Sequence, residues 1–552
     1  MKTKLLFLAV AFCATAAAQE PQEKWPVPVI NAHEQVESGM YEPTWESLTQ
    51  YKVPEWFRDA KFGIWAHWGP QCVEGSGDWM ARSMYIEGSR EYKWHVEHYG
   101  HPSEFGFKDI LPLFKAEKWK PDELVAYYKH VGARYFFALG NHHDNFDLWD
   151  SQYQEWNSKR IGPKRDILGE WAAACRKAGL PLGVSLHADH AWRFYEPAQF
   201  YDKRGEKKGV PYDGHMTKYD GKGKWWEGMD PRDLYAQDHH LSEGSWDGNS
   251  IHKQWDWTHG CTLPTQTFVT NFQDRTLDVV NRYNPDLLYF DTTVLPFNDI
   301  SDCGLNIAAH FYNHNMAQHQ GEQHAVMFGK ILDDKQRKSI TWDVERGAPN
   351  EIIDDPWQTC TCIGGWHWNE GISQQNRYKK APQVIKMLAD IVSKNGNLLL
   401  SVPLRADGTF DEHEHAILEE IGTWMRQNGE AIYSTRPWVK FGEGPVAEQA
   451  IGMNRQGFNE NSYANMDSRD IRFTQTLGKK GALYAIVLGW PDDGKVIVKS
   501  LAKGNNLFKK SITKAELLGY GKVKCQQTAD GLVVTLPADK VNSIAPVLKI
   551  SK

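Results

Sequence analysis

No long run of like charge and no dense set of cysteines marks this chain. Its 552 residues carry a formal net charge of -7. No block of one sign exceeds a few residues, which removes the electrostatic case for nucleic acid or an anionic membrane as partner. Cysteines number only eight. Cys13 falls in an amino-terminal apolar stretch, and seven more in so long a chain do not make a disulfide framework. Cys360-Thr361-Cys362 lacks a second ligand pair at zinc spacing, so the two thiols read as buried structural groups. Beyond the amino terminus no long apolar run occurs, so no membrane span is expected. No metal or cofactor is expected either, and nothing in the sequence speaks to oligomeric state.

Tryptophan, by contrast, is plentiful: 24 residues, within an aromatic content of 12%. A core absorbs many indoles, but an indole also offers a flat apolar face and one N–H donor. Sugars present patches of C–H groups that suit such a face, so the excess leans toward a carbohydrate ligand. The amino terminus reads "MKTKLLFLAVAFCATAAAQE". Lys2 and Lys4, an apolar stretch from Leu5 to Ala14 and small residues before Gln19 form a secretory signal pattern over 1–18. The protein is therefore expected to be exported, to a bacterial periplasm or beyond the cell.

From about 55 to 430, β-branched or aromatic runs alternate with helical patterns. Strand candidates are "KFGIWAHW" (61–68), "ARYFFALG" (133–140), "LPLGVSLH" (180–187), "DLLYFD" (286–291), "SITWDV" (339–344) and "NLLLSV" (397–402). Pro121 and Gly132 bracket a predicted helix over 121–131. Val384, Met387, Leu388, Ile391 and Val392 form one face of another over 383–394. Near-continuous apolar strands between helices indicate a parallel sheet covered on both sides, and a (β/α)₈-like barrel over 19–439 is the leading architecture. Residues 193–262 break the rhythm, rich in Gly, Lys, Asp, His and Trp, as a functional loop or one with small elements of its own would be. After Trp438, short runs separated by Gly-Lys, Asp-Asp-Gly and Asp-Gly turns predict an antiparallel β-sandwich over 440–552.

Active sites of such barrels form at the carboxyl ends of the strands. Here strand after strand ends in polar residues: His67, then Asn141-His142-His143-Asp144, then His187, Asp291 and Glu345-Arg346. The most pointed is "PDLLYFDTT", where an apolar strand delivers Asp291 to the mouth, as a glycosidase nucleophile requires. Adjacent histidines on a strand face opposite sides, so His142 and His143 reach one ligand only where the strand breaks. Trp149 reads equally as site wall or core.

The chain resembles the family 29 glycoside hydrolases, the α-L-fucosidases. The likeness lies in "WFRDAKFGIWAHWG", "DWMARSMY", "GNHHDNFDLWDS", "GPKRDILGEW", "PDLLYFD", "VERGAP", "PWQTCTCIGGWHW", "VSKNGNLLLSVP" and "NGEAIYSTRPW". It implies a catalytic barrel followed by a β-sandwich, with Asp291 as nucleophile and a glycan as substrate. It also implies a sugar gripped by His67, His142 and His143, with Asp78, Trp79, His187 and Trp366 around it. Departures exist. Many members have Ser-Glu-Trp where Gly77-Asp78-Trp79 stands, and Phe-Asp-Gly where Thr292 and Thr293 follow Asp291. One branch places its acid/base Glu after the Trp matching Trp357, where this chain has Gln358. Another carries Glu-Arg-Gly, matching Glu345-Arg346-Gly347, which assigns Glu345 as acid/base, with Glu351 and Glu370 as alternatives. The implied activity is retaining exo-α-L-fucoside hydrolysis. L-Galactose, which adds a C6 hydroxyl, is the alternative sugar. A silent sugar-binding homologue and a metal-dependent hydrolase are the readings from other classes.

Overall fold

A computed structural model of the chain describes residues 25–551 apart from 238, 247–256, 258–259, 450–458, 479–480, 509–510 and 542. The leader read at 1–18 lies outside the described residues. Eight parallel strands close into a barrel in chain order. They are β1 (Phe62–Ala66), β2 (Tyr135–Asn141), β3 (Leu182–Leu186), β4 (Leu287–Tyr289), β5 (Val326–Gly329), β6 (Thr341–Glu345), β7 (Trp357–Cys362) and β8 (Gly396–Ser401). Six match the strand candidates. β5 and β7 went unread; β7 carries Gln358, Thr359 and Thr361 among its apolar positions.

The apolar runs follow from the two covered faces. Tyr135, Phe137, Leu287, Tyr289, Val326, Phe328 and Leu399 fill the barrel interior. Their neighbours Phe136, Ala138, Leu288, Met327, Leu398 and Leu400 pack outward under the helices. Successive side chains thus alternate between two apolar environments, and no polar position is left to give a period of two. Small residues make room for the rings. A Cβ on Gly63 would lie 2.3 Å from the Tyr135 ring, and one on Gly183 2.5 Å from that of Phe137. The predicted helices are present as Pro121–His130 and Ala381–Ser393.

An eight-stranded antiparallel sheet follows: β9 (Arg436–Glu443), β10 (Ile471–Gln475), β11 (Ala482–Val487), β12 (Lys495–Val498), β13 (Ala515–Leu517), β14 (Gly521–Gln527), β15 (Leu532–Thr535) and β16 (Val547–Ser551). β14 pairs with β13 through Gly521–Val523 and with β15 through Lys524–Gln527. A strand shared in this way passes from one layer to the other. Phe473, Leu483 and Val487 from one half, and Val496, Val498, Leu532 and Val534 from the other, enclose a common core.

Barrel and sheet are joined through buried charge. Asp390, on the helix Ala381–Ser393, accepts from Arg472 of β10 at 2.5 Å, from Lys394 at 2.8 Å and from Tyr463 at 3.3 Å. Burial pushes the Asp390 carboxyl up, but the two cations outweigh it and hold it below the usual range. Removing one partner of such a set leaves the other charges buried and uncompensated. Asp390→Ala should therefore lower unfolding stability by about 3–5 kcal/mol, read as a fall in the urea midpoint. A change within about 0.5 kcal/mol would show that the network does not secure the join.

Candidate active site

A cavity of about 400 Å³ opens where the carboxyl ends of the barrel strands converge. Trp65, His67, Asp78, Trp79, His142, His187, Tyr289, Asp291, Glu345 and Trp366 all line it. His143 stands just behind, fully buried, with Nε2 3.2 Å from Asp291 Oδ2. The expected residues, drawn from five strand ends and two loops, thus assemble at one place. Glu351 and Glu370 are exposed and do not line the cavity. The 193–262 segment contributes no described residue to this wall.

The electrostatic centre is Lys330, immediately after β5. Its ammonium donates to Asp291 Oδ1 at 2.5 Å and to Glu345 Oε2 at 2.7 Å. Burial alone would raise Asp291, but Lys330 and His143 reverse the sign and hold it well below the usual carboxylate range. Burial likewise opposes charge on Lys330, and Asp291 and Glu345 more than restore it. Sequence reasoning missed this lysine because β5 was not among the strand candidates. The signal was present in "AVMFGK", which ends an apolar run in a polar residue as the other strands do.

The doubled histidine works through a break in its strand. The β2–β3 register shifts between Leu139 and Asn141, and the two rings lie 4.4 Å apart at 63°. Asn141 holds the break: its amide donates to Asp147, and its carbonyl oxygen accepts from the His187 and Ala188 amides at 3.0 and 3.2 Å. Asp147 in turn receives the buried Arg275. Asp144 caps the Phe146 amide, and Trp149 is core, donating to Asp278. Of "GNHHDNFDLWDS", then, the histidines face the site and the remaining polar residues hold the backbone that presents them.

Burial, reinforced by neighbouring histidines, lowers His67, His142 and His187 well below the usual imidazole range. They stand neutral, each with one donor and one acceptor. His67 binds Ser401 through Nδ1 at 2.8 Å, and the Gln71 amide donates to His142 Nδ1 at 2.7 Å. That leaves His142 Nε2 as the N–H, 3.7 Å from Asp78 Oδ1. His367, which the sequence reading passed over, donates to the same oxygen at 2.8 Å. The ligand atoms of Asp78, His142 and His367 lie within 4.8 Å of one another, as do those of His142, His143 and His187. Of the two contacts to Asp78, that of His367 is a hydrogen bond, and His142 Nε2 lies beyond hydrogen-bonding distance.

Gln358, which stands where one branch has its acid/base Glu, is not in the wall. It is fully buried within the barrel, accepting from Tyr135 at 3.0 Å and donating to Asp343 Oδ1 at 3.0 Å. Asp343 also receives the Cys360 thiol at 3.2 Å and the Tyr289 hydroxyl at 3.3 Å. Burial pushes its carboxyl up to about 6. Cys360 and Cys362 are buried, as the sequence suggested.

The sequence profile of the alpha-L-fucosidase family matches residues 29–430, and that of the alpha-L-fucosidase C-terminal domain matches 465–551. The tissue alpha-L-fucosidase of Homo sapiens is 27% identical over 507 residues, covering 90% of this chain and 88% of that protein. The Thermotoga maritima alpha-fucosidase structure superposes with a TM-score of 0.63 at 25% identity, covering 92% of this chain and 100% of that one. A Bacteroides thetaiotaomicron α-L-fucosidase, described as a trapped covalent intermediate, shares the fold at a TM-score of 0.57 and 18% identity, covering 94% and 99%.

Lys330→Gln tests the electrostatic centre. Without the ammonium, Asp291 returns toward the ordinary carboxylate range, so its ionised form persists only to a higher pH. The acid limb of kcat/KM on an aryl α-L-fucoside should move upward, with a loss on the order of 10²-fold near neutrality. An acid limb that stays in place would show that Lys330 does not set the Asp291 charge.

Proposed function

This chain belongs to the α-L-fucosidase family of glycoside hydrolases, and from that premise we propose that it removes terminal α-L-fucosyl residues from glycans by double displacement. The observation that carries the mechanism is the shared ammonium. Asp291 Oδ1 and Glu345 Oε2 can be no farther apart than two bonds of 2.5 and 2.7 Å laid end to end. Retaining pairs stand about 5–5.5 Å apart, inverting pairs about 6.5–9.5 Å.

In this reading Asp291 attacks the anomeric carbon while Glu345 gives its proton to the departing glycosidic oxygen. The aglycone leaves as an alcohol and the sugar remains as an ester of Asp291. Glu345, now a carboxylate, takes a proton from water, whose oxygen displaces Asp291 and releases the sugar. Ester formation removes the Asp291 charge, so Lys330 is left facing the Glu345 carboxylate alone, in the state that the second step needs. The neutral histidines grip hydroxyls, giving and accepting hydrogen bonds. Trp65, Tyr289 and Trp366 supply apolar walls for C–H groups. Ionisable residues in both catalytic positions argue against a silent binding protein. The leader pattern supports export, and no described helix is long and apolar enough to cross a membrane.

One observation favours a second sugar. Thr292 and Thr293 line the cavity beside Asp291, and their hydroxyls could receive the extra hydroxyl of an α-L-galactoside. An apolar pocket rejects an added hydroxyl by only about 10²-fold. Aryl α-L-galactoside cleavage within that factor of the fucoside would support this second reading, and undetectable cleavage would remove it.

Asp291→Asn should abolish turnover while sugar binding persists. A loss below about tenfold in kcat, ~1.4 kcal/mol in barrier, would exclude Asp291 as nucleophile. Glu345→Ala should slow natural glycosides far more than aryl glycosides with good leaving groups, and azide should restore part of the rate. Equal losses on both, without rescue, would exclude Glu345 as acid/base.

A further inference from the structure

Among the described residues, five large aromatic side chains stand exposed, and four of them lie between 201 and 246: Tyr201, Tyr219, Trp225 and Trp246, with Tyr520 the fifth. Scattered apolar residues are ordinary on a surface, but this concentration in one segment is not. Tyr201 is 50% exposed and Trp246 59%. Together with Glu87, Phe200, Lys203 and Arg204 they border a cavity of about 350 Å³ that shares no residue with the catalytic cavity. The Lys203 ammonium stands 4.5 Å from the centre of the Trp246 ring.

The face is held from beneath. Tyr201 bridges to Pro211, and the Tyr212 amide donates to the Phe200 carbonyl at 2.9 Å, closing a short hairpin. The Asp202 carboxylate inside it accepts from Tyr92 and Tyr212 and sits 3.2 Å from His101 Nε2. The backbone amide of Lys203 donates to Glu87 at 2.8 Å, so the acid on this rim already has a partner. Tyr201, Lys203 and Arg204 are therefore presented on an ordered hairpin, which lowers the cost of ordering them when a ligand binds.

The face is tied to the active site. The segment that brings Asp78 and Trp79 to the catalytic cavity continues into Tyr85, Ile86 and Glu87 at this one. Tyr85 lies six positions after Trp79, a span of at most about 22 Å. Arg82, between them, donates to the carbonyls of Arg193 and Phe194 at 2.9 and 2.7 Å, locking that segment to the start of 193–262. A pocket that takes one terminal sugar leaves the rest of a polymer to be held elsewhere.

We propose that the Tyr201–Trp246 face is a second carbohydrate-binding surface, which holds a glycan chain bearing anionic substituents while its end enters the barrel. Ring faces would stack on the sugars, and Lys203 with Arg204 would bind sulfate or carboxylate groups. The inference rests on the glycosidase reading for its purpose but not for its test.

Affinity electrophoresis would compare the wild type with Tyr201→Ala/Trp246→Ala and Lys203→Ala/Arg204→Ala in gels containing fucoidan, chemically desulfated fucoidan or polygalacturonate. Retardation of the wild type by fucoidan or polygalacturonate, weakened at least about tenfold in both variants, is the expected result. Which polymer acts distinguishes sulfate from carboxylate. Aryl α-L-fucoside kcat/KM should stay within about twofold in both variants. No retardation by either anionic polymer, or equal retardation of wild type and variants, would overturn the proposal. Equal retardation by fucoidan and its desulfated form, with none by polygalacturonate, would overturn the anionic part. A wild type that binds polymer yet leaves the aryl fucoside intact would sink the proposed activity and spare the surface.

Discussion

One ammonium between two carboxylates is the constraint on which the site depends. Without Lys330, burial at the barrel mouth would push the Asp291 carboxyl up and favour its protonated form. With it, Asp291 stays ionised and the two oxygens stay close. The rest of the arrangement complements this choice. Three histidines made neutral by burial add hydrogen-bonding capacity without adding charge. Cationic histidines would compete with Lys330 for Asp291 and could no longer accept from sugar hydroxyls.

The barrel supplies the precision. Asp291, Glu345, Lys330, His67, His142, His143 and His187 stand at or just beyond strand ends, and the strands are packed on both faces, so their ends are fixed by the core. Loops alone would not hold two carboxylates to one cation. Where a strand end must deliver two adjacent side chains to one place, the regular ladder is broken, and Asn141, Asp147 and Arg275 form a buried brace around the break.

Much of this was legible in the sequence, for identifiable reasons. Apolar runs announced themselves as strands, and polar residues at their ends marked His67, His142, His143, His187, Asp291 and Glu345. What escaped lay on β5 and β7. Lys330 follows β5, which was not read as a strand; β7 alternates threonine with cysteine, because its inward Gln358 and Cys360 bind Asp343 rather than pack as hydrocarbon. His367 and Gln71 escaped for another reason. Each acts on a neighbour from a different loop, Asp78 and His142 respectively, and such pairing across the fold leaves no local pattern.

Gln358 shows how a sequence position can mislead when its side chain's direction is unknown. Read beside a branch with glutamate there, it looked like a lost proton donor. In the structure it points into the barrel and satisfies Tyr135 and Asp343. Asp343 and Glu345 are two apart on β6, so their side chains leave the strand on one face, the first in the barrel interior and the second at the mouth. A carboxyl in the place of Gln358 would put a third acid against Asp343, with an acceptor where the amide now donates. The amide therefore suits a chain whose acid/base is carried by β6: it satisfies the buried carboxyl beneath Glu345 and leaves Lys330 to the pair above it.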